Sequence, residues 1–259
     1  MQTPEPVHAE AARYATSLLF LPGLWAGPEL WRGVAGYLAH RGWESGLVDL
    51  QTAAGGLERR AQAVADYAAG LPAPPVLVGH DAGGLVALAA ARRGLSAAVV
   101  LVAPRGPAGA ARRAIALGIA PLLALLPAGP VPPPEGRMAG RMLGDLPAAA
   151  RGTLGADDAA AIRDVTWQPT LPPAVPVPTL LVVGDRDPLL PPAAARMLAA
   201  AVGAEQRVVE GAGHWPHLGP TWSGVVTLVH RWLVQRLGEP LLETYAEAMA
   251  EREADDDAD

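Results

Sequence analysis

The chain has 259 residues, 51% of them hydrophobic, enough for one substantial core, so one domain carrying an insertion is the natural expectation. Its 26 acidic and 20 basic residues leave a formal charge of -6, and the bases form no stripe, which argues against nucleic acid as a partner. Lysine, asparagine and cysteine are absent, so disulfides, thiolate nucleophiles and cysteine metal sites are excluded.

The opening segment, MQTPEPVHAEAARYATSLLFLPG, lacks a basic n-region, and its apolar run is too short for a signal sequence or a membrane span. A soluble cytoplasmic protein with no membrane partner, either a monomer or a homodimer, is expected. TSLLFLPG (16–23) reads as a buried strand ending in a turn, and GPELWRGVAGYLAHRG (27–42) as a helix. Pro28 suits the first turn of that helix and Gly42 its C-terminal cap. WESGLVDL (43–50) reads as a second strand and LERRAQAVADYAAG (57–70) as a second helix. A third strand, PPVLVG (74–79), precedes a helix over 82–93 closed by Gly94, and SAAVVLVA (96–103) is a fourth strand. Near-continuous Val/Leu runs of this kind fit strands covered on both faces, as in a parallel sheet.

The rhythm breaks at PRGPAG (104–109) and resumes at PTLLVVGDRDP (178–188), followed by a helix near 191–202, a strand EQRVVE (205–210) and a helix over 220–237. The expected organisation is an α/β core over 1–104 and 178–238, an inserted cap over 105–177 and a C-terminal helix or acidic tail over 239–259. The insertion combines an apolar helical pattern and a proline-rich loop (115–136) with weaker helical segments. An insertion on an open α/β sheet sits over the carboxyl ends of the strands, where ligands bind.

Three motifs carry chemistry. VLVGHDAGG (76–84) has the strand, glycine, x, residue, x, glycine, helix pattern of a nucleophile elbow, with Asp81 where serine usually stands. Aspartate at a strand-to-helix junction is also a good N-cap, but a cap does not require Gly79 and Gly83 to be small, whereas a tight elbow does. GDRDP places Asp187 after the next strand of the core, with Asp185 as its competitor, and GAGHWPH places His214 after the last strand. Nucleophile, acid and histidine in that chain order match an α/β-hydrolase triad. The remaining serines, Ser17, Ser45, Ser96 and Ser223, stand at no motif, so a serine esterase mechanism is not expected.

With these motifs the sequence, from about Ser17 to Leu237, resembles the α/β-hydrolase fold superfamily. LPGLWAGPELW is similar to its oxyanion loop, although Pro22-Gly23 replaces the frequent His-Gly. GHDAGG resembles the Asp-centred elbows of haloalkane dehalogenases and epoxide hydrolases. The resemblance implies a mostly parallel central sheet with helices on both faces, an inserted helical cap, and cofactor-independent, metal-free hydrolysis of a small-molecule substrate. It implies catalytic roles for Asp81, His214 and Asp187, with Asp81 forming a covalent alkyl ester, and backbone oxyanion donors at Leu24 and Ala82. The family's leaving-group helpers are missing: Ala82 replaces the tryptophan or arginine that can follow the nucleophile, and Tyr14, Tyr37, Tyr67 and Tyr245 all lie outside the insertion. Trp25 and Trp167 are the candidate substrate-binding residues. Arg105, Arg112, Arg113, Arg137, Arg141, Arg151 and Arg163 are candidate anion clamps or solvated surface charges, and His80 reads as structural. A lyase, cyclase or isomerase using Asp81 and His214 as acid and base, or a small-molecule binder with a decayed site, remains open on the same residues.

Overall fold

Alternation along the Val/Leu runs sends neighbouring side chains to opposite faces of the sheet, and both faces are covered in the computed structural model, which describes residues 1–106, 129–167 and 172–237. The strands are β1 (Glu5–Val7), β2 (Leu18–Leu21), β3 (Ser45–Leu47), β4 (Val76–Asp81), β5 (Ala98–Pro104), β6 (Pro130–Val131), β7 (Asp157–Asp158), β8 (Thr179–Gly184) and β9 (Glu205–Val209). The main sheet has the order β1-β3-β2-β4-β5-β8-β9. It is parallel except for β1, which pairs antiparallel with β3 at the edge.

Leu19, Leu21, Leu77, Leu101 and Leu181 face α2 (Leu57–Ala69), α3 (Ala82–Ala91) and α7 (Pro192–Val202). Leu18, Phe20, Val78, Val100 and Val182 face α1 (Arg32–Ala39) and α8 (Trp222–Leu237). Burial of α3 is nearly complete all round, so its sequence, AGGLVALAAA, carries no polar face.

Local chemistry accounts for the departures from the expected elements. The strand expected over 43–50 shortens because Asp49 accepts the Gln51 N–H at 2.9 Å and starts a 3-10 turn. The helix expected from 27 begins as a 3-10 turn over Pro28–Trp31. The expected third strand extends to Asp81, so the elbow residue is itself the strand's end. β1 gave no period-2 signal: it is three residues long with Pro6 at its centre, directly after Pro4, and such a segment suits only an edge strand. The apolar helical pattern falls mainly on residues 107–128 and the tail on 239–259, both outside the described residues.

Between β5 and β8, the described part of the insertion contains the β6–β7 pair, α4 (Gly136–Met142), α5 (Ala148–Arg151) and α6 (Ala159–Trp167). Its acidic side chains are bonded to core loops. Asp157, 2% exposed, forms a buried ion pair with Arg60 of α2 and accepts the Trp25 N–H at 2.8 Å. Asp158 accepts from Gly55 N at 3.0 Å, Asp164 from Leu57 N at 2.8 Å and Asp145 from Trp215 N at 2.8 Å. Among the described residues no helix is long and apolar enough to cross a membrane.

Removing Asp157 leaves Arg60 buried without its counter-charge. Asp157→Ala should therefore lower the unfolding free energy by about 3–5 kcal/mol. Glu58→Ala, which breaks the exposed pair with Arg93, should cost under about 1 kcal/mol. Urea melts of both variants check the contrast.

Candidate active site

Asp81 sits where β4 turns into α3, and its backbone is driven to φ 50°, ψ -120°, a conformation that costs a non-glycine residue about 1–3 kcal/mol. The crossing is tight. A Cβ on Gly79 would lie 2.4 Å from the Gly83 carbonyl oxygen, and one on Gly83 would lie 2.2 Å from that of Leu21. The turn therefore requires both glycines, and it presents the Asp81 side chain away from the helix: the carboxylate caps no N–H of α3.

The carboxylate instead faces three other elements. Oδ2 accepts the Leu24 N–H, from the loop after β2, at 3.2 Å. Ala82, the other expected donor, makes no hydrogen bond to this carboxylate. Oδ1 lies 3.4 Å from Nε2 of His214 and 2.6 Å from Nε of Arg105. Neither approach has the direction of a hydrogen bond, so Oδ1, His214 Nε2 and Arg105 Nε are three buried polar atoms converging on one point without hydrogen-bond partners.

Asp187 backs the histidine. Its Oδ2 is 3.0 Å from His214 Nδ1, and its Oδ1 accepts the Leu189 and Leu190 N–H groups at 2.7 and 3.1 Å. Asp185, the competitor, accepts the Gly211 N–H at 2.7 Å and pins the loop that leads to His214. Both loops leave the sheet close together, since a Cβ on Gly184 would lie 2.1 Å from the Ala212 carbonyl oxygen.

Beneath His214, His80 bonds through Nε2 to the His214 carbonyl at 2.9 Å. Its ring packs against Trp215 and His217 at centroid distances of 4.2 and 4.7 Å, and His217 stacks on Trp31. This imidazole and indole layer supports the His214 loop. His217 gave no signal beyond its place in the GHWPH string.

Trp25 is buried, at φ 61°. Its indole N–H donates to the Val131 carbonyl at 3.1 Å and its own carbonyl accepts from Gly155 N at 2.9 Å, so it joins the Leu24 loop to the insertion. The Trp167 side chain lies outside the described residues, as do Arg112 and Arg113. Arg151 donates to the Leu146 and Gly144 carbonyls. Only Arg105, of the insertion arginines described, reaches Asp81. The register explains this: β4 and β5 run side by side, with Asp81 opposite Pro104. Ala103 is at φ 42°, and the Arg105 N–H donates to the Asp81 carbonyl at 3.1 Å.

Burial and charge act against each other at every titrating group here. Burial pushes Asp81 up, but Arg105 and then His214 outweigh it and hold the carboxyl well below its usual range. Burial pushes His214 down, but Asp187 first and Asp81 second lift it to about 9. His80, buried beside His214, falls to about 3, and His217 is likewise held well below the usual range by burial and its two imidazole neighbours. The resting site therefore contains two carboxylates, a guanidinium and an imidazolium, whose charges cancel. Among the described residues, no cluster of three or more histidines and carboxylates could hold a metal.

A family model described as the alpha/beta hydrolase family matches residues 18–222. No curated protein sequence matches the chain at a significant level. Among solved structures, the chain is similar to a monoacylglycerol lipase from Paleococcus ferrophilus, at 18% identity over 91% of this chain and 100% of that one, with a TM-score of 0.69. It is also similar to an esterase from Thermogutta terrifontis, at 21% identity over 90% and 93% with a TM-score of 0.67. It is similar as well to an enol-lactonase from Burkholderia xenovorans, at 20% identity over 89% and 95% with a TM-score of 0.65. Identities this low speak for a shared fold.

A histidine raised in the folded state from 6.5 to about 9 contributes stability that is complete below about 6.5 and is lost as pH rises through about 9. The His214 imidazole should titrate near 9 in NMR spectra. Asp187→Asn should move that titration toward neutrality and flatten the loss of thermal stability across the same window.

Proposed function

The chain belongs to the alpha/beta hydrolase family, and on that premise we propose that it is a cofactor-independent hydrolase of a small organic electrophile, with Asp81 as covalent nucleophile. The observation that carries this reading is the Asp81 carboxylate at the elbow, capping no helix N–H, with Oδ2 on the Leu24 N–H and Oδ1 3.4 Å from a histidine backed by Asp187. An N-cap or a buried structural aspartate has no need of that arrangement. Serine chemistry has no support: Ser17, Ser45 and Ser96 lie at or just before the amino ends of strands, and Ser223 is in α8. The names of the structural neighbours, a lipase, an esterase and an enol-lactonase, favour hydrolysis as the reaction class.

In this mechanism Oδ1 attacks a saturated carbon and becomes the ester oxygen, while Oδ2 becomes the ester carbonyl oxygen. His214 then takes a proton from water as that water attacks the ester carbonyl, and Asp187 orients and stabilises the imidazolium. Negative charge on Oδ2 in the tetrahedral intermediate falls on the Leu24 N–H, with the Ala82 N–H proposed as the second donor; each such donor is worth about a hundred- to thousand-fold in rate. The product alcohol leaves with a proton, Asp81 returns as the carboxylate, and His214 keeps the second proton of the water.

Loss of charge on Asp81 also primes the base. The resting histidine is held protonated by two carboxylates. Once Asp81 is esterified, one of the two is gone, so the imidazole gives up its proton more readily when a base is needed. The insertion, bonded to the Leu24 and His214 loops through Asp157, Trp25 and Asp145, acts as the cap in this reading.

The test uses panels of epoxides and haloalkanes. His214→Gln should accumulate an alkyl ester on Asp81, seen as a mass increase on the peptide containing it. The unaltered protein should incorporate heavy oxygen from labelled water into Asp81 over many turnovers. Asp81→Asn should lower turnover by on the order of ten-thousand-fold. Turnover with neither trapped ester nor label would assign Asp81 and His214 to acid–base chemistry instead.

A further inference from the structure

Arg105 is ion-paired with the one group whose charge the proposed chemistry removes. Its Nε lies 2.6 Å from Asp81 Oδ1, the side chains are 9% and 5% exposed, and neither atom has a hydrogen-bond partner. When Oδ1 becomes an ester oxygen, the guanidinium loses its counter-ion inside the protein, where an unpaired charge is costly. The Trp25 indole N–H, an alternative donor to a departing group, is already bonded to the Val131 carbonyl.

We propose that Arg105 is the leaving-group residue: it passes from Asp81 to the anion expelled from carbon, and the substrate class is therefore an organohalide. This rests on the covalent reading of Asp81. The Asp81 Oδ1–carbon bond forms as the carbon–halogen bond breaks, and the halogen leaves with the bonding electron pair as halide beside Arg105. The halide departs together with the proton of His214, leaving the neutral imidazole that the water step requires. Water then cleaves the ester, the alcohol leaves, and one proton returns to His214. The sum is organohalide plus water giving alcohol, halide and a proton. A guanidinium supplies charge and has no proton to give at neutral pH, so it suits a leaving group that departs as a stable anion better than an alkoxide.

The halide site can be read without a substrate. Asp81→Asn keeps the side chain's shape and removes its charge, as esterification does. Sodium bromide is titrated against a sodium gluconate background at constant ionic strength, following the melting temperature and tryptophan fluorescence. Asp81→Asn should respond saturably and at least about tenfold more tightly than the unaltered protein, and Asp81→Asn with Arg105→Gln should not respond. A flat titration of Asp81→Asn, or a response that survives Arg105→Gln, overturns the assignment. If Asp81→Asn does not fold, Asp81→Ser carries the same titration. A trapped ester in His214→Gln without Arg105-dependent bromide binding keeps the hydrolase reading and overturns the role of Arg105. Bromide binding with no ester leaves only an anion site and overturns both.

Discussion

Two carboxylates, a guanidinium and an imidazole share a volume almost closed to solvent: Asp81, Asp187, Arg105 and His214 are all buried. Charges in such a place must nearly cancel, because each one unpaired costs several kcal/mol. That balance depends on backbone geometry from four different strand ends. β4 supplies Asp81, β5 leads to Arg105, β8 leads to Asp187 and β9 leads to His214. A parallel sheet brings these ends together at one edge, which is the physical reason an open α/β sheet places its sites there.

The same requirement explains where the backbone is strained. Among the described residues, the non-glycine positions with positive φ are Trp25, Asp81 and Ala103. Each lies at the carboxyl end of a strand or in the loop that follows: Trp25 comes directly after Leu24, Asp81 carries the carboxylate, and Ala103 stands two residues before Arg105. Helices on both faces hold these ends in place: the α3 side buries Leu19, Leu77 and Leu101, and the α8 side buries Phe20, Val78 and Val100. Packing of the two faces is thus what supports the unfavourable backbone conformations at the site.

Much of this was legible in the sequence because its signals are local. Strand-helix alternation, the paired glycines around Asp81 and the order of Asp81, Asp187 and His214 are all properties of short strings. The contact between Arg105 and Asp81 is not local, but it follows once β4 and β5 are known to be neighbours, since a residue just past the end of β5 must come close to the end of β4. Treating Arg105 as one more arginine of the insertion obscured that. The partnership of Arg60 with Asp157 had no signal at all, because an arginine in an amphipathic helix reads as a surface charge until its partner is placed. β1 was hidden by its prolines, and the indole of Trp25 gave no hint that it would bond to the Val131 carbonyl.

The bond from the Trp25 N–H to Asp157 couples two parts of the chain that lie far apart in sequence. Leu24, the neighbour of Trp25, donates to the Asp81 carboxylate, while Asp157 belongs to the segment between β5 and β8. Exchanging that segment for another would leave Arg60 without an anion and unfasten the turn that aims the Leu24 N–H. Specificity in this molecule is therefore expected to drift by substitutions around a fixed acidic anchor, and transplanted insertions would have to bring their own aspartate to that point.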